Sequence, residues 1–348
     1  MMQSGKSTLI SAVSGRTPAP MGSPEINEVI VPVPDERLDW LTNLYKPQKA
    51  VHATVDCLDL PGLNFLDEHG RAAARKLFGQ IRTVDLFVAV VRAFENDAVA
   101  AYRNRIQPGK DLEELRTEFL LADLELVTTR IERLEKQVHK PTRTVARDKE
   151  ELALHGKLQT ILESERPLSA AGLSARELDL IKPLGFLTLK PMMVVVNVGE
   201  NRLNQPVDLG SAAGGAEAIC LSAEIESQLA QLDPQSRKEF MQDMNLAEPA
   251  SAKFVQSCYK ALGLISFLTV GKDEVRAWTI ESGTIAHEAA GKVHSDIQRG
   301  FIRAETMAYA DLHRLGDEKA VKAAGKMRLE GKTYVVQDGD IICFRFNV

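Results

Sequence analysis

The sequence predicts an α/β fold with a helical hairpin inserted into it and a small α+β module after it, on three observations. The run Gly5-Lys6-Ser7-Thr8 stands directly ahead of the helical stretch Leu9-Ile10-Ser11-Ala12-Val13. The runs Leu86 to Val91 and Met192 to Val196 are apolar at successive positions, the pattern of parallel strands covered on both faces. Between them, Leu120, Leu124, Val127, Ile131 and Leu134 step by four and three, and the step returns after Pro141 at Leu154, Leu158 and Ile161.

Taken in order, the first element is the second half of a G-x-x-x-x-G-K-[ST] loop, whose backbone N–H groups cradle phosphates, whose lysine reaches them and whose hydroxyl ligates Mg²⁺. Its first glycine and the strand that feeds it would fall ahead of Met1. The expectation is either a start further upstream, this chain being a shortened copy, or a loop impaired at its own site. Val51 to Leu58 alternates apolar and polar residues and reads as a strand running into Asp59-Leu60-Pro61-Gly62. Ala218 to Leu221 reads as a short strand leading into Ser222-Ala223. The inserted hairpin has a basic tip, with Arg130, Arg133, Lys136, Lys140, Arg143, Arg147 and Lys149 set against Glu132, Glu135 and Asp148. That is either a solvated face or a contact for RNA phosphate. From about Leu264 the strands Val275 to Ile280, Tyr334 to Val336 and Ile341 to Phe346 are short, with a helix near Ala308 to Leu315 and a turn at Asp338-Gly339-Asp340.

A chain of 348 residues, 44% hydrophobic and 26% charged, has room for two or three domains of ordinary composition. The apolar runs are far shorter than the roughly 20 residues that cross a bilayer, and no basic-then-apolar leader opens the chain. No membrane partner and a cytoplasmic address are expected, with a monomer favoured. Cys57, Cys220, Cys258 and Cys343 are widely spaced and read as free thiols. A net charge of −5 argues against an all-basic surface and leaves local patches open.

Three stretches are spaced as a nucleotide switch protein requires. Lys6 and Ser7 supply phosphate and Mg²⁺ contacts. In the D-x-x-G loop, Asp59 is placed to hold Mg²⁺ through water and Gly62 to meet the γ-phosphate. Asn197-Val198-Gly199-Glu200 follows a strand where guanine readers carry Asn-Lys-x-Asp; Glu200 is one methylene longer than that aspartate, so guanine specificity is expected to be lost. Ser222-Ala223 matches the loop that frames the base. Predicted cofactor contacts are therefore Gly5, Lys6, Ser7, Thr8, Asn197, Val198, Glu200, Ser222 and Ala223, with Lys6, Asp59 and Gly62 as the catalytic set.

On these motifs, and on the stretches Val31 to Leu38, Leu120 to Glu125, Leu187 to Pro191, Glu274 to Thr279, Arg299 to Glu305 and Glu330 to Asp340, the chain resembles the Obg-like ATPase family, also called YchF. The resemblance covers nearly every residue. It implies a Ras-like P-loop NTPase sheet over 1–117 and 186–263, a helical hairpin over 118–185, and a β-grasp TGS domain over 264–348. It further implies ATP in preference to GTP, Mg²⁺ as cofactor, association with the ribosome or its RNA, and a nucleic-acid groove lined by the basic tip with Arg299, Arg303, Lys326 and Arg328. The family carries a hydrophobic residue where many GTPases keep a glutamine after D-x-x-G; Leu63 stands there, so slow hydrolysis is expected. The switch hydroxyl that completes the Mg²⁺ set with Ser7 and Asp59 aligns with Ser23, in an altered Ser23-Pro24 context. The usual glycines after D-x-x-G are replaced by Asn64-Phe65-Leu66-Asp67-Glu68-His69-Gly70, so this loop is expected to move less freely. The competing functions are a scaffold that binds RNA without hydrolysis and a GTPase, the latter disfavoured by Glu200.

Overall fold

The structure, a computed structural model, describes residues 2–15, 25–140, 143–203, 205 and 207–347. In chain order the elements are α1 (Lys6–Ser14), β1 (Asn27–Pro32), α2 (Glu36–Tyr45), β2 (Lys49–Val51), β3 (Thr54–Asp59), α3 (Glu68–Gln80), β4 (Phe87–Ala93), α4 (Pro108–Gln137), α5 (Val145–Glu163), α6 (Ala175–Ile181), β5 (Met192–Val198), β6 (Ala218–Leu221) and α7 (Ala223–Gln231). They continue with α8 (Pro234–Asp243), α9 (Ala250–Ala261), β7 (Leu264–Thr269), β8 (Glu274–Glu281), α10 (Ala286–Val293), α11 (Ser295–Arg299), β9 (Phe301–Ala308), α12 (Tyr309–Leu315), α13 (Glu318–Ala323), β10 (Arg328–Glu330) and β11 (Asp340–Phe346). Two compact units result: the described parts of Met1–Leu9, Pro18–Ile26 and Leu60–Gln228, and those of Ile10–Thr17, Asn27–Asp59 and Leu229–Val348.

In the first unit β4, β5 and β6 form a parallel sheet in which Asn197 is level with Arg92 on one side and Leu221 on the other. All three strands therefore end together, and the loops that follow them emerge at one edge. The continuous apolar runs of β4 and β5 are buried on both faces, as expected of parallel strands. Phe65, Phe78, Phe87, Phe119, Leu112 and Val194 belong to the core beside this sheet. Phe78 and Phe119 meet edge to face at 5.1 Å.

The hairpin helices form as their period predicts, α4 starting earlier than expected with Pro108 at its first turn, where no N–H is required. Val127, Leu154, Leu158 and Leu162 join Phe186 in a second apolar cluster. The base of the hairpin is held by Asp123, which is fully buried. It accepts from Arg82 Nη1 (2.8 Å), Leu187 N (3.1 Å), Thr188 N (2.8 Å) and Thr188 Oγ1 (2.9 Å). Lys190 Nζ donates to the carbonyls of Arg82 and Val84. Two of the stretches that carried the family resemblance thus act as a structural clamp.

In the second unit a six-stranded sheet runs in the order β10-β9-β11-β7-β8-β2, with α10 packing its alanines Ala286, Ala289 and Ala290 into the core of Phe267, Ile280, Phe301 and Ile342. The single strand expected over Val51 to Leu58 is corrected here. It breaks at His52-Ala53, and its halves join different sheets: β2 pairs parallel with β8, β3 antiparallel with β1. The break is held by Val33 N donating to Ala53 O (2.8 Å). Tyr334 to Val336, expected as a strand, is irregular, and Val335 makes one isolated bridge to Ile285. The carboxyl module also contains α10, α11, α13, β7, β9 and β10, which periodicity did not reveal.

Candidate functional site

The loop Ser4-Gly5 turns directly into α1, and Leu9 N donates to Gly5 O (3.0 Å) to close its first turn. Gly5 has φ +83°, and a Cβ there would overlap the Asn197 amide, so this position requires glycine. Lys6, Ser7 and Thr8 form the first turn of α1 and are half-buried. A helix start with its backbone N–H groups, a lysine and a hydroxyl is suited to holding an anionic oxygen cluster.

Asn197 is the penultimate residue of β5 and is itself buried. Its Nδ2 donates to Ser4 O (2.9 Å), and its Oδ1 accepts from Ala223 N (2.9 Å). One side chain therefore ties the phosphate-type loop to the start of α7. Val198, the last residue of β5, is buried, Ser222 is buried just after β6, and Ala223 opens α7. Glu200 begins a short 3₁₀ turn and is exposed to solvent. The residues expected to read phosphate and base are thus gathered at one edge of the sheet, with Asn197 as their link.

Arg92, which the sequence reading passed over, organises this edge. It is buried at the end of β4 and donates to the carbonyls of Phe94 (3.0 Å), Asn96 (3.4 Å), Val99 (3.0 Å) and Ala100 (3.3 Å). Burial lowers its pKa below the usual arginine value. Its guanidinium also lies over the Phe94 ring at 4.5 Å, and Phe94 stands beside Gly199. The signal was there to see, an arginine at the end of an otherwise apolar strand.

Gly62 is exposed and lies against Met2, which would contact any Cβ built on it at 3.1 Å. Leu63 packs on the core beside Phe65, which is fully buried, and Phe65 N is met by the Tyr102 hydroxyl (3.3 Å). Asp67 caps α3 by accepting from Gly70 N (2.7 Å). The loop that replaced the family's glycines is therefore anchored at both ends. Asp59 closes β3 in the second unit and is buried. Ser23 lies outside the described residues.

Of the basic tip, Arg133, Lys136, Lys140, Arg143, Arg147 and Lys149 are exposed. Arg130 is engaged instead with buried Glu151 (2.7 Å). In the carboxyl module Arg299 pairs with Asp296, and Arg328 with Asp340 (3.1 Å). Arg303 and Lys326 are exposed. No group of three or more His, Cys, Asp or Glu side chains suited to a metal occurs among the described residues. No described helix is long and apolar enough to cross a membrane.

A glycine-shaped loop opening a helix, set at the carboxyl edge of a parallel sheet with the N-x-x-E turn beside it, defines a P-loop NTPase fold. The YchF-GTPase C-terminal family model, described as a protein of unknown function, matches residues 264–347. The chain is 40% identical to the ribosome-binding ATPase YchF of Haemophilus influenzae, over 99% of this chain and 96% of that protein. It is 36% identical to Obg-like ATPase 1 of Oryza sativa subsp. japonica, over 99% of this chain and 90% of that one. The solved structure of the Schizosaccharomyces pombe YchF GTPase superposes with a TM-score of 0.85 at 32% identity, covering 98% of this chain and 94% of that one. The chain belongs to the YchF family of Obg-like ATPases.

Proposed function

We propose that this chain binds ATP with Mg²⁺, hydrolyses it slowly and works in the cytoplasm as a monomer on the ribosome. The observation that carries the reading is the Asn197 side chain, bonded at once to Ser4 O and Ala223 N, which ties the loop before α1 to the start of α7. In this reading Gly5, Lys6, Ser7 and Thr8 hold the phosphates, and Ser7, Asp59 and Ser23 serve the metal. Val198, Glu200, Ser222 and Ala223 surround the base, with Gly62 facing the γ-phosphate. When bound, Mg²⁺ would neutralise charge on the transferring phosphoryl group. The working division is 1–117 with 186–263, 118–185 and 264–348.

The relatives' names divide between ATPase and GTPase. Glu200 favours adenine, because its longer carboxylate cannot occupy the place from which an aspartate accepts both guanine donors. Slow turnover is supported by Leu63, an alkyl chain seated on the core where an amide would orient water. Titration of labelled ATP and GTP against the chain and its Lys6→Ala variant tests the nucleotide; equal affinities, or no loss in the variant, would refute it. The same anchored loop favours the second reading, a binding scaffold without hydrolysis. Single-turnover phosphate release that depends on Asp59 would remove that reading.

The ribosome is supported by the names of the relatives and by the exposed cations of the hairpin tip. Charge reversal of Arg143 and Arg147 should weaken cosedimentation with ribosomes and flatten its salt dependence, each lost phosphate contact removing about 0.7–0.9 from the log–log slope.

A further inference from the structure

The segment Asn27–Asp59 belongs to the same compact unit as the carboxyl module. Arg37 donates to Asp338 through Nη1 (2.8 Å) and Nη2 (3.2 Å), and to Asp35 through Nε (2.9 Å) and Nη2 (2.8 Å). One guanidinium thus carries two forks, a geometry that fixes position as well as charge. Asp338 Oδ1 also accepts from Ser266 N in β7 (2.9 Å). Gly339 has φ +81°, and a Cβ there would come within 2.8 Å of Arg37 Nη1, so the turn is shaped to let the arginine in. Further along, the Tyr45 hydroxyl donates to Glu318 (2.5 Å), and Trp40 meets Tyr309 edge-on at 5.6 Å. β2 then joins the sheet edge from Lys49 opposite Glu274 to Val51 opposite Arg276.

Only His52 and Ala53 separate β2 from β3, and β3 ends on Asp59. Where β2 is seated fixes where β3 begins, and an extended strand transmits that placement to its last residue. Leu38 and Leu41, fully buried on α2, anchor the same segment.

We infer that Arg37 and Asp338 are positioning residues for the nucleotide step, through which the carboxyl module sets Asp59 and responds when nucleotide is bound. The inference rests on the nucleotide reading above. Contacts that merely fold the module would leave its exchange behaviour indifferent to nucleotide.

The test is amide hydrogen exchange on the full chain with and without Mg-ATP, beside an independent ATP titration. In the parent, ATP should slow exchange at 264–269 and 338–342 by about fivefold or more, the low end of ordinary coupling between sites. In Arg37→Ala and Asp338→Ala, ATP should still bind while this slowing is lost. The charge-exchanged pair Arg37→Asp with Asp338→Arg should recover part of it. Should either alanine variant fail to fold, Arg37→Lys keeps the charge and loses the fork, and the slowing should fall there too. Binding of ATP with no change at 264–269, or slowing that survives in the single variants, overturns the inference alone. Failure of the parent to bind ATP overturns it together with the nucleotide reading.

Discussion

Replacing Asn197 by alanine removes the side chain that joins Ser4 to Ala223, and its cost can be worked from the geometry. Two hydrogen bonds of 2.9 Å are lost, each with a net worth of about 0.5–1.5 kcal/mol. The Ala223 N–H loses this acceptor in a place that is 1% exposed, and stranding a buried donor costs about 1–3 kcal/mol. The expected destabilisation is about 2–6 kcal/mol, read as a lowered urea midpoint at unchanged slope. The loosened Ser4 carbonyl should also weaken ATP binding more than an equally destabilising change in the hairpin does. Asn197→Asp is the sharper control. It keeps the acceptor for Ala223 but turns an anionic oxygen toward Ser4 O, so it should cost at least as much at neutral pH and recover as the pH falls and the carboxyl regains a proton. A midpoint shift for Asn197→Ala equivalent to less than about 0.5 kcal/mol would refute the assignment of Asn197 as the tie.

Three further outcomes follow from buried groups. Asp123→Ala leaves Arg82 without its carboxylate and should destabilise the hairpin-bearing unit by about 3–5 kcal/mol in denaturant titration. Gly5→Ala forces a side chain into φ +83° against Asn197, and should cost about 1–3 kcal/mol in stability together with nucleotide affinity. His155 is fully buried, donates from Nδ1 to Glu151 O (2.8 Å) and faces Glu151 and Arg130, and burial lowers its pKa below the ordinary 6.5. The unfolded chain therefore takes up a proton that the folded one refuses. Stability should be complete above about pH 6.5 and fall as the pH drops below it. His155→Leu should flatten that fall in thermal melts between about pH 5 and 6.5.

The parallel strands were legible because burial on both faces writes an unbroken apolar run, as in Met192 to Val196. The hairpin was legible because its core repeats every three to four residues. The break at His52-Ala53 was not, since alternation continues through it; what splits the strand is the competition of two distant partners, β8 and β1. β7 and β9 escaped notice for a related reason: their pairing with β8 and β11 decides them more than any local pattern. At the candidate site, residue types pointed to positions such as Gly5 and Asn197 that lie together in the fold, without revealing their joinery. Asn197 was read as a base contact, and the structure adds that its amide is already bonded at both ends to protein. Arg92 carried a visible signal, but its four carbonyl partners come from the loop that follows it and have no side-chain motif. Asp123, Lys190 and Asp338 sat inside stretches chosen for family likeness, and each proves to hold neighbouring backbone in place.

The strand that β2 lends to the carboxyl sheet has a practical consequence for anyone excising the matched stretch 264–347. Such a fragment would lose the cover along the outer side of β8, next to Val275, which is sealed from water in the intact chain. A bare row of backbone donors and acceptors there invites sister copies to zip together. The limits drawn by sequence likeness and the limits of a well-behaved soluble piece therefore differ, and a usable fragment would have to bring residues 49–51 along.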